Sequence, residues 1–151
     1  MAKLSVHLVA WNGAKYVPYA FDSLRVQTYK DWELLAIDNA SSDGTPDLIE
    51  RELADFPVRA RLIRNPENRG FARGHNQAVR ESASELFQLY NQDIYLAPDY
   101  LARVVAMMDE RPEAGAGQGL LLRWNFEEEI KNQKSKIKNG EMVGLSDMID
   151  T

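Results

Sequence analysis

At 151 residues the chain has the length of one compact domain, and Leu, Ile, Val and Phe make up about a quarter of it, enough to build a core. Eighteen basic against 23 acidic residues leave a formal charge of −5, which excludes a strongly basic nucleic-acid footprint. The absence of cysteine excludes a disulfide scaffold, cysteine-ligated zinc and thiol catalysis.

The elements follow in an alternating order. Leu4 to Ala10 is an apolar run bounded by Asn12-Gly13 and predicts a buried strand over 4–10. Val17, Ala20, Phe21 and Leu24 recur at helical spacing within 14–27. A second strand is expected over 33–38, stopped by the turn-rich segment from Asp38 to Thr45, and a helix is expected over 45–55, its stripe of Leu48, Ile49 and Leu53 continued by Phe56 and ended by Pro57. A third strand is expected over 58–64. The loop Asn65 to Gly70 then leads to a helix over 71–82 whose apolar stripe is Phe71, His75, Ala78 and Val79. A fourth strand over 86–90 precedes Pro98 and a helix over 99–110, and Ala114 to Arg123 predicts a fifth strand over 114–122. Strands alternating with helices predict an α/β fold, doubly wound, with a mostly parallel sheet and helices on both faces. Residues 1–123 form the expected domain. Residues 124–151 are polar, with Phe126, Ile130 and Ile137 spaced apart, and are expected to be a solvated segment, a flap or the start of a further region. No apolar run reaches the roughly 18 residues of a membrane span. The N-terminal segment does not resemble a cleavable signal, so a cytoplasmic location is expected, free or peripheral at the inner face of the membrane.

Ligands of open α/β sheets bind beyond the carboxyl ends of the strands. That rule singles out Ala10 to Asn12, Asp38 to Asp43, Asn65 to Gly70, and Asn91 to Asp93. Asp38, at a strand end, suits a ribose hydroxyl or a base N–H. Asp43 reads instead as a cap for the following helix. Arg69 and Arg73 flank a helix N-terminus that suits a phosphate, although turn glycines and solvated arginines account for the same pattern. Asp93, with Asn91 two residues earlier, either ligates a hard divalent cation or caps a turn before Pro98. Gly115, Gly117 and Gly119 lack the Lys-Ser/Thr of a phosphate loop, and neither His7 nor His75 has a metal-ligand spacing. The serines show no nucleophile elbow. An acidic pair after the first strand, which a response regulator needs, is absent. So is the glycine-rich basic loop of a sugar nucleotidyltransferase.

Three ordered segments resemble one family. LSVHLVAWNGAKYVPYAFDSLRVQTYKDWELLAIDNASSDGT, RLIRNPENRGFARGHNQAV and LFQLYNQDIYLAPDYL are similar to the family 2 glycosyltransferases, inverting enzymes of GT-A fold. The rhamnosyltransferase-like members are the nearest in character, and the likeness spans about residues 3–123. It implies a Rossmann-like, nucleotide-sugar-binding half. Ala10 and Asn12 would border the base and ribose, Asp38 would accept from a pyrimidine base, and Asn68, Arg69 and Gly70 would lie against the base or diphosphate. Asn91 and Asp93 stand in the place of the DXD motif, with Asp93 as ligand for manganese or magnesium and Asn91 in place of the first acid. The implied donor is a nucleoside-diphosphate sugar, UDP- or dTDP-linked rather than GDP-linked. The implied acceptor is a glycan or lipid-linked glycan, and no nucleic acid partner is implied. The implied reaction is displacement at the anomeric carbon, with a carboxylate base on the acceptor hydroxyl. Family members run to about twice this length and carry that base after the DXD region. Asp147 and Asp150 have no defined claim to it, so no catalytic residue is assigned, and the chain is expected to be a donor-binding part without transfer of its own. A non-catalytic nucleotide-binding or interaction module on the same scaffold is the alternative.

Overall fold

The structure is a computed structural model, and residues 1–122 are described. Met1–Gly115 forms one compact unit. Its elements are β1 (Leu4–Ala10), α1 (Val17–Arg25), β2 (Trp32–Asp38), α2 (Thr45–Leu53), β3 (Ala60–Arg64), α3 (Phe71–Glu81), β4 (Leu86–Asn91) and α4 (Tyr100–Glu110). The four strands lie in the order β3-β2-β1-β4, all parallel, with Ala10 opposite Asp38 and Val9 opposite Asn91. The α/β architecture expected from the alternation is the one found.

Alternation along β1 sorts the two faces. Leu4, Val6, Leu8 and Ala10 point into a core with Val17, Ala20, Phe21 and Leu24 of α1, Ile49 of α2, and Leu101 and Val105 of α4. The helical stripe of α1 is buried almost completely, and Pro18 occupies its first turn, where a missing N–H costs nothing. On the opposite face α3 packs against β1 and β2, where Leu35, Ile37 and Ala78 form a smaller cluster with Val9 and Ile63. A Cβ on Gly74 would sit 2.8 Å from Val9 Cγ1, so the glycine lets α3 close onto β1. Phe71, expected in the α3 stripe, is 59% exposed; Gly74, His75 and Ala78 are the buried residues of this helix. At the first turn of the helix the Phe71 ring makes an edge contact with the ring of His75, at 4.4 Å between centroids.

The fifth strand is a correction. Residues 114–122 carry no strand, and among the described residues β4 is paired only with β1. Glycines at 115, 117 and 119 leave one face of the run without side chains, so Leu120, Leu121 and Leu122 supply local hydrophobicity without a pleated surface to pack. The polar segment 124–151 lies outside the described residues. Among the described residues no helix is long and apolar enough to cross a membrane.

Candidate nucleotide site at the carboxyl edge of the sheet

The chain runs from β1 outward through β2 to β3, then returns to the other side of β1 as β4. The strand order reverses between β1 and β4, and crevices form at such points, outside the carboxyl ends. The loops after β1, β2, β3 and β4 all arrive at this edge.

The loop after β1 is bound by its backbone. Four consecutive N–H groups each donate to a side-chain oxygen: Trp11 to Gln92 Oε1 at 3.0 Å, Asn12 to Ser41 Oγ at 2.9 Å, Gly13 to Thr45 Oγ1 at 2.8 Å and Ala14 to Asp43 Oδ2 at 3.0 Å. Asn12 adopts a left-handed φ of 47°, and its Oδ1 accepts from the Ser42 N–H at 2.9 Å. Ala40, in the facing loop, also lies at positive φ, 62°. Two non-glycine residues in this region at one edge mark a loop pair shaped at the cost of local strain.

Asp38 ends β2 and is 3% exposed. Its Oδ2 accepts from the Ser41 N–H at 3.1 Å, while its buried Oδ1 has no partner among the described residues. Buried acceptors are normally satisfied, so this oxygen has capacity for a donor from water or a ligand. Asp43 is different. Its carboxylate is taken up by the Thr45 hydroxyl, the Thr45 N–H and the Ala14 N–H. Desolvation works in the opposite direction, but the Thr45 hydroxyl and these backbone donors together hold the Asp43 carboxyl below its ordinary value. It is a loop-building residue.

Asn39, which the strand-end pattern places in the region without assigning it a task, proves central. Its N–H donates to Ala10 O at 2.8 Å, its Nδ2 to Asn68 Oδ1 at 2.9 Å, and its Oδ1 accepts from the Arg69 N–H at 3.1 Å and from Asn65 Nδ2 at 3.2 Å. A single amide thus ties Asn68, Arg69 and Gly70 to the end of β2. Asn68 Oδ1 also accepts from the Gly70 N–H at 2.8 Å, and Gly70 takes a φ of 78° before α3 begins. The Arg69 guanidinium is 3.5 Å from Glu67, and Arg73 lines a cleft of about 280 Å³ on the outer side of α3 with Arg69, Asn76 and Arg80.

On the β4 side, Asn91 is the last strand residue, and a turn closed by the Ile94 N–H on Asn91 O follows at 3.3 Å. Tyr90, buried beneath, donates its hydroxyl to Ile94 O at 2.6 Å and fixes the turn from below. Asp93 stands exposed on that turn with no hydrogen bond or ion pair among the described residues. Gln92 is the second residue that sequence reasoning left without a task. Its amide joins this turn to Trp11, 81 positions away, a contact for which no local signal exists.

The edge therefore brings together Ala10, Asn12, Asp38, Asn68, Arg69 and Gly70 in one hydrogen-bonded set, with Asn91 and Asp93 attached through Gln92. Among the described residues no group of three His, Cys, Asp or Glu could cage a metal ion.

The sequence model of glycosyl transferase family 2 matches residues 5–142. The chain belongs to this family. It is 33% identical to the uncharacterised glycosyltransferase YfnE of Bacillus subtilis over 148 residues, which is 93% of this chain and 37% of that protein. It is 28% identical to the putative glycosyltransferase EpsE of the same organism, over 80% of this chain and 44% of that one. The chain thus spans about two fifths of the length of these curated relatives. Among solved structures, a mannosyltransferase of Pyrobaculum calidifontis in complex with GDP-Man and Mn2+ superimposes with a TM-score of 0.67 at 27% identity, covering 71% of this chain and 32% of that one. TarS of S. aureus, in complex with UDP, gives 0.67 at 21% identity over 80% of this chain and 38% of its own, a likeness of fold. The four parallel strands of this family 2 glycosyltransferase chain therefore have the GT-A fold of these neighbours.

Proposed function

We propose that this chain is the donor-binding part of an inverting glycosyltransferase, which moves a sugar from a nucleoside diphosphate to an acceptor hydroxyl. The observation that carries the reading is the buried Asp38 Oδ1, without a partner among the described residues, at the carboxyl end of β2. A uracil or thymine N–H is a donor of the right kind, and the proposed donor is a UDP- or dTDP-sugar. Ala10 and Asn12 border the base and ribose, and the Asn68-Arg69-Gly70 turn lies against the base or diphosphate. The acceptor is a glycan or lipid-linked glycan. The proposed domain boundary is at residue 123, and the proposed place of action is the cytoplasm, at or near the inner membrane face.

Asp93 and Asn91 fit a divalent cation of a particular kind. Neither Asp93 oxygen has a partner among the described residues, yet one carboxylate and one amide make no cage, so manganese or magnesium would be held jointly with the donor diphosphate. When bound, such an ion supplies charge neutralisation for the departing nucleoside diphosphate. The chain's own part is positional: Asp38 orients the base, the Asn39-held turn closes over it, and the Tyr90-supported turn presents Asp93 toward the phosphates. Transfer also needs a base on the acceptor hydroxyl, typically worth about 10² to 10⁴ in rate, and an oriented acceptor. Neither role is assigned to a residue of this chain, so the 151 residues alone are expected to bind donor without transferring it.

Thermal shifts with UDP-, dTDP- and GDP-sugars, with and without Mn2+, test the reading, because a ligand of the folded state raises the melting temperature by mass action. The guanine arm is included because the mannosyltransferase neighbour holds GDP-Man. Asp93→Asn is expected to abolish the Mn2+-dependent part of the shift and leave the unliganded melting point within about 2 °C, since an exposed side chain without hydrogen bonds carries little stability. A full Mn2+ response in that variant would move the metal elsewhere, and no response to any nucleotide by the parent chain would overturn the function.

A further inference from the structure

We propose that Gln92 is a positioning residue that couples the nucleotide-side loop, Trp11 to Ala14, to the metal-side carboxylate of Asp93. The proposal rests on the donor-binding reading above and adds to it a route by which nucleotide and metal strengthen each other.

The geometry is specific. Gln92 Nε2 donates to Trp11 O at 3.0 Å while Gln92 Oε1 accepts from the Trp11 N–H at 3.0 Å, so one amide satisfies both peptide groups of Trp11. The regular β1–β4 ladder ends at the pair Val9–Asn91, and the side chain then does what the next stretch of strand would have done. The amide also lies directly over Gly13, where a Cβ would fall 2.1 Å from Gln92 Oε1 and 2.4 Å from its Cδ. Gly13 is not among the positive-φ glycines, so the need for glycine here is a matter of space, not of backbone conformation.

The other three N–H groups of the loop are held by Ser41, Thr45 and Asp43, all from the β2 side. Among the described residues, the hydrogen bonds joining residues 11–14 to the β4 turn both come from Gln92. Gln92 is adjacent in sequence to Asp93, so a nucleotide that settles the Trp11–Ala14 loop also settles the peptide carrying the carboxylate. Linkage makes this reciprocal: the factor by which Mn2+ tightens nucleotide binding is the factor by which nucleotide tightens Mn2+ binding.

Two measurements test the proposal. The first compares Kd for UDP, dTDP and GDP with and without Mn2+ by calorimetry, in the parent chain, in Gln92→Ala and in Gln92→Met, which fills similar space without an amide. For the tightest nucleotide the parent is expected to gain about 5- to 150-fold from Mn2+, the usual range of coupling between sites. Both variants are expected to lose a measurable part of that ratio although Asp93 is intact, the remainder coming directly from the ion that Asp93 and the diphosphate would share. A merely structural role would weaken both constants together and leave the ratio alone. If the variants keep the parental ratio, the coupling is wrong while the donor-binding reading stands; if the parent binds no nucleotide, both fall.

The second measurement needs no ligand. Gly13→Ala is expected to lower the melting temperature by several degrees in the parent, and by much less in the Gln92→Ala background, where the colliding amide is gone. Equal costs in the two backgrounds would show that Gln92 does not lie over Gly13, and the proposal would fail on its geometry.

Discussion

Asp38→Ala is expected to weaken pyrimidine-nucleotide binding by about 1.5–3 kcal/mol, roughly 10- to 150-fold, the range for a hydrogen bond to a charged group. The expectation comes from an asymmetry within one carboxylate. Oδ2 holds the Ser41 N–H at 3.1 Å and so maintains the loop, while Oδ1 is buried with no donor among the described residues. Asp38→Asn separates the two tasks if its amide oxygen stays on Ser41: its NH2 then faces a base N–H, donor against donor. Its nucleotide affinity is expected to be as poor as that of the alanine variant, with the loop better preserved. Calorimetry on both variants decides. Unchanged affinity in Asp38→Ala would make Asp38 a turn residue only.

The second large effect is on stability, in the layer beneath α3. His7 is fully buried in β1, stacked on Phe87 at 5.6 Å between ring centroids, and neither ring nitrogen has a hydrogen-bond partner among the described residues. Burial first, and the neighbouring His75 second, push the His7 imidazole down to about 4. His75 is itself lowered by burial. The sign follows from which state holds the proton. An unfolded chain titrates His near 6.5, so between pH 6.5 and 4 it binds a proton that the folded chain refuses, and stability falls as the pH drops through that window. The expected loss from His7 is about 2 kcal/mol between pH 7.5 and 5, and about 3 kcal/mol by pH 4. Urea unfolding at pH 7.5 and 5 checks this, with most carboxylates still ionised over the window. His7→Leu, similar in volume and without a proton to gain, is expected to remove most of the slope. The same slope in that variant would place the acid sensitivity in another group.

These two residues also show what could be read from sequence. Asp38 was legible because a strand ending in an acid is a local pattern, and in an open parallel sheet the end of a strand is the ligand edge. His7 was legible only as a histidine inside an apolar strand. That it stacks on Phe87 depends on β4 pairing with β1, and that it lies near His75 depends on α3 crossing β1; the periodicity of these elements specifies neither.

The order of elements, the parallel sheet and the inward stripe of α1 followed from hydrophobic spacing and turn residues, because strand and helix periods are imposed by local backbone geometry. The ordered motifs were sufficient to place the chain in its family. Where the local signal was equally strong, as in residues 114–122, the reading failed and no strand is present: with glycine at every second position from 115 to 119, the run has no side chains on one face to build a pleated surface. Tertiary structure alone decided the roles of Asn39 and Gln92. Each is one polar residue in a polar loop, and each is defined by contacts about 30 or 81 positions away. An amide's task is set by which unsatisfied backbone groups the fold brings within 3 Å of it, and that proximity exists only once β1, β2 and β4 lie side by side.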